Sequence, residues 1–217
     1  MSVFIHLRNA LKVGWTMSQH KNKGWQVRER LAQLAAEYMA ETGSQDFQLA
    51  KKKALHQFGG IESLNLPSNK EIQQALVSYQ HIFRSDSQPL ELKKLRQAAL
   101  EAMHFLHRFK PRLVGNVLSG TADINSAIYI HLFAGTSEEV AVFLMDNNIP
   151  YDEELKRFHM KGEVYEYFPG FAFLADETPV HLIVFSEQGL HHAPLSSVDG
   201  KPMQRADIKA VTKLLDS

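Results

Sequence analysis

The 217-residue sequence predicts an α+β protein, in which a helical N-terminal region precedes a small mixed β-sheet covered by helices. Up to about Phe109 the apolar residues recur at helical spacing, whereas from Arg112 onward short runs typical of strands replace them. We therefore predict an N-terminal extension over 1–24, a helical region over 25–88 and an α+β domain over 89–217.

Local start and stop signals predict four helices in the first half of the chain. Side chains that accept hydrogen bonds precede two of these helices, and glycine or proline follows the apolar run in others. In chain order, the signals are Thr42-Gly43-Ser44 after the first helix, Asp46 as the cap of the second, a Ser68–Glu71 capping box for the third, and Pro89 and Lys110-Pro111 at the ends of the fourth.

The second half of the chain alternates between strand-like runs and helices. One helix, capped by Ser137, follows the second strand, and a last helix starts near Arg205. The predicted strands are Arg112–Val114, Ala127–Phe133, Leu155–Met160, Gly170–Ala175 and Val180–Phe185.

The composition excludes several classes of protein. The 24 basic and 24 acidic residues balance, so no global field draws the chain to nucleic acid or to an anionic membrane. The absence of cysteine excludes disulfides, thiolate catalysis and Cys-ligated zinc. No run approaches the ~18–20 apolar residues of a membrane span, so we expect a cytoplasmic protein without membrane contact.

The N-terminal residues do not predict a cleaved signal peptide, because their apolar positions are interrupted by polar and basic side chains. Met17 is a second candidate start, in which case residues 1–16 would be an upstream extension.

The most informative motif lies between the first two predicted strands and is punctuated by Gly115 and Gly120. It reads Gly-Asn-Val-Leu-Ser-Gly-Thr-Ala-Asp-Ile-Asn-Ser over residues 115–126, and the strand from Ala127 follows it. This frame resembles the signature of the nucleotidyltransferase superfamily, the polymerase-beta-like fold. In that family a Gly-Ser turn with a second Gly precedes Ser-Asp-x-Asp on a strand. The resemblance spans roughly residues 90–186 and implies that 89–217 is a nucleotidyltransferase-like domain.

The resemblance implies that the turn binds the phosphates of a nucleoside triphosphate, with Asn116 in place of the family's serine. In the family, two strand aspartates and a third carboxylate from a later strand hold Mg²⁺ ions. Ala127, Tyr129 and His181 occupy those positions here, so we predict no catalytic residue, and magnesium only if the chain were active. The implied nucleotide-binding residues are Gly115, Asn116, Gly120, Thr121 and Ser126.

Alternate residues of a strand share a face, so Ala127, Tyr129 and His131 face the site while Ile128, Ile130 and Leu132 face the core. His131 and His181 would share the site face and could bind zinc or another transition metal. We identify no third ligand, so the simpler interpretation is two partly exposed histidines on a polar face.

We therefore predict a non-catalytic module that binds a nucleotide or a protein partner. Three alternatives stay open. An active nucleotidyltransferase would use Asp123, Asp176 or Glu177, and a nucleic-acid adaptor would use the basic run Lys51–Lys53, which fits a solvated helix face better. A self-associating protein would fill the former cleft with Tyr129.

Two loop features have a purely structural interpretation as well as a functional one. Lys201 and Arg205 could meet a phosphate, although a surface connector explains their segment more simply. The 115–126 segment could likewise be an ordinary turn before a half-buried strand.

Overall fold

A computed structural model describes residues 24–59, 65–84, 87–162 and 164–216. The predicted extension over 1–24 lies outside the described residues except for Gly24, which is the first described residue and is helical.

The first half of the chain forms four helices, α1 over 24–42, α2 over Phe47–Gln57, α3 over Asn69–Phe83 and α4 over Gln88–Phe105. Two of the predicted capping arrangements are confirmed. The Asp46 carboxylate accepts hydrogen bonds from the N–H groups at the start of α2, and Ser68 forms the capping box with Glu71. In the described part of the chain, no helix is long and apolar enough to cross a membrane.

The second half forms a five-stranded mixed sheet in the described residues, in the order β1-β2-β5-β4-β3. β2 and β5 run parallel, and the other neighbouring pairs run antiparallel. This confirms the α+β class. The strands are β1 over Arg112–Val114, β2 over Ile128–Ala134, β3 over Asp152–His159, β4 over Tyr165–Ala175 and β5 over Thr178–Ser186.

Three further helices connect the strands or follow them. They are α5 over Gly115–Ser119, α6 over Ser137–Asp146 and α7 over Ile208–Leu215. The predicted Ser137 cap is wrong, because Thr136 caps α6 in a capping box with Glu139 and Ser137 is the first helical residue. Asp207 caps α7, which therefore begins after Arg205.

Helices cover one face of the sheet and bury its apolar residues. The side chains of Ile128, Ile130 and Leu132 have no exposed area and pack with apolar residues of α4, α6 and α7, which confirms their predicted core position. Residues of α1, α2 and α3 form a second buried cluster. The opposite face of the sheet carries a small aromatic cluster around Phe133 and Phe185, which we call the aromatic face.

Candidate functional site

The parallel pairing of β2 with β5 brings together two of the three residues that the resemblance assigns to metal positions. Tyr129 lies directly opposite His181 in the register, and their rings stack with centroids 4.7 Å apart and planes 8° apart. Ala127 precedes β2 on the chain. The strands thus place two rings side by side where the resemblance implied carboxylates.

Two residues of β3 complete this contact. Both carboxylate oxygens of Glu154 lie 3.1 Å from Nδ1 of His181. The ammonium group of Lys156 lies 3.3 Å from the Glu154 carboxylate and 5.8 Å from the centre of the Tyr129 ring. No sequence motif singles out Glu154 or Lys156. Their alternation on one strand is the only local signal, and the β3–β4–β5 register is needed to bring them to His181.

These side chains do not fit the magnesium ions of the family. Mg²⁺ prefers several oxygen ligands in near-octahedral geometry, and Ala127 offers no side-chain ligand. Burial and the charge of Glu154 raise the pKa of Tyr129, which keeps the phenol protonated. Across the residues that the structure describes, no group of three or more His, Asp or Glu side chains could hold a metal ion.

His131 lies on the same face as Tyr129 but is buried, with only 1% of its surface exposed. Its Nδ1 accepts a hydrogen bond from Nε of Arg205 at 3.1 Å, and the rings of Phe158 and Phe185 pack against the imidazole. Burial, and then the charge of Arg205, hold the pKa of His131 well below its ordinary value. The expectation of a partly exposed histidine is therefore wrong, because distant residues cover it.

Arg205 belongs to the aromatic face and not to a surface connector. Its guanidinium lies over the rings of Phe133 and Phe185, and Nη1 donates to the carbonyl of Gly189 at 2.7 Å. Burial, together with the charge of Arg112, lowers the pKa of Arg205 to about 10. Its contacts hold the loop after β5 against the sheet, so the predicted phosphate contact would require them to break.

The predicted phosphate-binding turn uses its own N–H groups internally. The N–H groups of Gly120, Thr121 and Ala122 all point to the carbonyl of Asn116, at distances between 3.0 and 3.1 Å. The Asp123 N–H donates to Oγ of Ser126 at 3.0 Å, so the predicted Ser126 hydroxyl is engaged as well. These four N–H groups are thus already paired, so a triphosphate could use them only by displacing their acceptors.

Side chains from the helical region cover the same turn. Nε2 of Gln88 donates to the carbonyls of Gly120 and Ala122, and Nε2 of Gln80 donates to the carbonyl of Thr121. A Cβ atom added to Gly115 would lie 3.1 Å from the amide group of Gln45. The five residues predicted to bind a nucleotide therefore lie close together, and Gly115, Gly120 and Thr121 among them contact side chains of the helical region.

Asp123, a candidate carboxylate for an active enzyme, is buried where the 115–126 turn meets the helical region, a contact that we call the junction. It forms an ion pair with Arg84 of the helical region and accepts the N–H of Ile124 at 2.7 Å. Asp176 and Glu177 form the tight turn between β4 and β5, where Asp176 has a positive φ of 52°. The ion pair and the hydrogen bond restrict Asp123 as a metal ligand. The turn holds Asp176 and Glu177 less rigidly than a strand would.

The basic run Lys51–Lys53 lies on α2, with Lys52 and Lys53 exposed. Phe47, Ala50 and Ala54 are buried, as the helical spacing predicted. Arg28, a residue that could reinforce a basic patch, instead pairs with Glu71 at 2.7 Å. The run therefore lies on the solvated side of α2.

Comparisons of the chain with protein-family models, with curated proteins and with solved structures found no match. The nucleotidyltransferase resemblance therefore stays a proposal that depends on the 115–126 motif and on the pairing of Tyr129 with His181.

Proposed function

We propose that this chain is a non-catalytic nucleotidyltransferase-like protein that acts by binding a protein partner. The observation that supports the proposal is the stacked pair of Tyr129 and His181, which the resemblance aligns with metal positions and which Glu154 contacts. Stacking and hydrogen bonding between these groups stabilise the fold, and they supply no cluster of oxygen ligands for magnesium.

The internal hydrogen bonds of the 115–126 turn favour a protein partner over a nucleotide. A nucleotide would have to compete with the internal hydrogen bonds of Gly120, Thr121 and Ala122, and with the glutamines that cover them. Breaking buried hydrogen bonds without replacing each of them costs about 1–3 kcal/mol per unpaired group. A triphosphate that bound through Gly120, Thr121 and Ala122 would therefore have to break these contacts first.

Exposed apolar surface supports a role in protein binding. A cleft of about 720 Å³ lies between α1 and α3, and Trp25, Ile82 and Phe83 line it. All three side chains are well exposed. Aromatic residues are enriched in protein interfaces, and contiguous exposed apolar surface is a frequent mark of them.

The two catalytic or nucleic-acid alternatives have weaker support. An active enzyme would need Asp123 to leave Arg84, and an adaptor would depend on Lys51–Lys53 without Arg28. No cluster of carboxylates in the described residues favours the first.

A thermal-shift panel of the four nucleoside triphosphates, with and without Mg²⁺ or Mn²⁺, tests the proposal. A ligand at about 100 times its dissociation constant should stabilise a fold by roughly 2.7 kcal/mol. We expect no shift for the natural chain. We expect the triple variant Ala127→Asp, Tyr129→Asp, His181→Asp to gain metal binding by calorimetry if it stays folded.

The double variant Tyr129→Phe, His181→Phe is the matched control, because it keeps two rings and adds no oxygen ligand. It should bind no metal. Stabilisation of the natural chain by a nucleotide alone would replace the proposal with a nucleotide-binding protein. Stabilisation only with metal, together with transferred nucleotide in the products, would show an enzyme.

A further inference from the structure

β3 is an edge strand, because the sheet order ends with it. The N–H of Met160 donates to the carbonyl of Val164, which marks a hydrogen-bonded position of the β3–β4 hairpin. Backbone groups alternate in direction along an antiparallel strand. The N–H and C=O groups of Glu153, Leu155 and Arg157 therefore point away from β4, towards the open edge.

Within the described part of the chain, only the last outward position of β3 is covered. The carbonyl of His159 accepts the N–H of Leu195 at 2.7 Å. Among the described residues, no turn or loop segment hydrogen-bonds the backbone at Glu153, Leu155 or Arg157. An edge with unpaired backbone groups is a template for another strand.

The side chains of β3 place acids before bases. Asp152, Glu153 and Glu154 precede Leu155, and Lys156 and Arg157 follow it. Glu153, Leu155 and Arg157 share one face of the strand and are exposed, with Leu155 at 64%. An acid-then-base order is self-complementary when the strand meets a copy of itself running antiparallel.

The backbone and the charges together select one register. Across the edge, hydrogen bonds can form only between odd-numbered residues of the two copies, because only these residues point outward. The two-fold axis must therefore pass beside a residue of β3 and not between two residues. Centring on Glu154 or on Lys156 would place that charge opposite its own copy. Centring on Leu155 pairs Glu153 with Arg157 and Glu154 with Lys156 across the interface, and Leu155 with itself.

We propose that this edge is the contact surface for a second copy of the chain, through antiparallel pairing of β3 with β3 centred on Leu155. The two sheets would then form one continuous sheet across a two-fold axis. The exposed rings of Tyr165 and Tyr167 on the neighbouring strand flank the contact. The inference depends on the β3 edge alone, so it holds or fails independently of the proposed function.

Charge exchange tests the register. We expect the full chain to dimerise reversibly with concentration in sedimentation equilibrium. Glu153→Arg alone, or Arg157→Glu alone, places like charges opposite each other at both ends of the pairing, and should weaken the dimer roughly tenfold or more. The double variant Glu153→Arg, Arg157→Glu should restore it. An equimolar mixture of the two single variants should form heterodimers.

Glu166→Arg is the matched control, because it makes the same charge change at an exposed residue of β4, one strand away from the edge. It should leave dimerisation unchanged. Circular dichroism of each variant checks the fold, and recovery in the mixture shows that both single variants are folded. The inference is overturned by a monomeric natural chain at the highest concentration reached, by single variants that dimerise as it does, or by equal weakening in Glu166→Arg.

Discussion

The rings of Tyr129 and His181 stack 4.7 Å apart on adjacent parallel strands, and Glu154 lies 3.1 Å from the imidazole Nδ1 on the other side. Carboxylates at these two positions would repel each other unless a cation lay between them. Two stacked rings attract each other without a cation. The contact between Tyr129 and His181 is therefore favourable without a bound cation.

The stack predicts measurable coupling between the two residues. In a double-mutant cycle with Tyr129→Leu and His181→Leu, we expect a coupling of about 0.5–1.5 kcal/mol in the free energy of unfolding. The stacked pair His159 and Tyr165, next to the turn of the β3–β4 hairpin, is the comparison. Because Tyr165 is more exposed, its coupling should be smaller. Strict additivity at Tyr129 and His181 would show that the stack contributes nothing.

The ion pair of Arg84 with Asp123 predicts a large and non-additive cost. The Asp123 side chain is only 4% exposed, so Arg84→Met leaves a buried carboxylate without its counter-charge. We expect a loss of about 3–5 kcal/mol in chemical denaturation. Asp123→Asn keeps an acceptor for the Ile124 N–H and should cost less.

The double variant Arg84→Met, Asp123→Asn is the control for this pair. Its loss of unfolding free energy should be smaller than the sum of the losses in the two single variants, because no unpaired charge stays buried. A loss below about 1 kcal/mol for Arg84→Met would mean that solvent reaches Asp123 and that the junction is looser than its contacts indicate.

Elements with local signals were predictable from the sequence. The α3 capping box needs only Ser68 and Glu71, and the Arg112–Val114 strand is bounded by Pro111 and Gly115. β3 was predicted from Leu155 but begins at Asp152. Its acidic residues lack the apolar alternation of a strand, and pairing with β4 is what extends it.

Only the placement of Tyr129 and His181 on neighbouring strands was predictable from a motif. The resemblance aligned Tyr129 and His181, which the register then placed opposite each other. The burial of His131 depends on Phe158 and Arg205, which lie far along the chain and meet only in the folded sheet. No periodicity in β2 distinguishes a histidine covered in this way from one that faces solvent.

The cost of replacing Gly43 measures how closely the end of α1 packs against the 120–126 turn. Its φ is +67°, and an added Cβ would overlap the carbonyl oxygen of Asn125. Gly200 has a similar φ of +70° with no atom within 4 Å of an added Cβ. Gly200→Ala should therefore cost only the left-handed strain of about 1–2 kcal/mol.

Gly43→Ala should cost at least about 2 kcal/mol more than Gly200→Ala in the free energy of unfolding, because the methyl group clashes with backbone at the junction. Denaturant unfolding of both variants measures the difference. Equal costs would show that α1 moves away from Asn125 freely, and that the Asn125–Glu41 hydrogen bond of 2.7 Å does not hold the junction.

The buried His131 predicts a fall in stability in mild acid. Burial and Arg205 keep its folded pKa well below 6.5, while Phe158 and Phe185 close the other sides. The unfolded chain takes up the proton below about pH 6.5 and the folded chain does not. The His131 contribution is therefore complete above that pH, and it is lost as the pH falls towards the folded pKa, with a limiting slope of about 1.4 kcal/mol per pH unit.

Two variants separate this proton from packing. His131→Gln keeps an acceptor for Nε of Arg205 and cannot titrate, while His131→Phe keeps a ring and leaves that donor unpaired. Both should flatten the dependence of the unfolding free energy on pH between about 6.5 and 5 relative to the natural chain. His131→Phe should also be less stable at every pH. An unchanged slope in both would mean that His131 takes up its proton in the folded state, and that the aromatic face opens to water in mild acid.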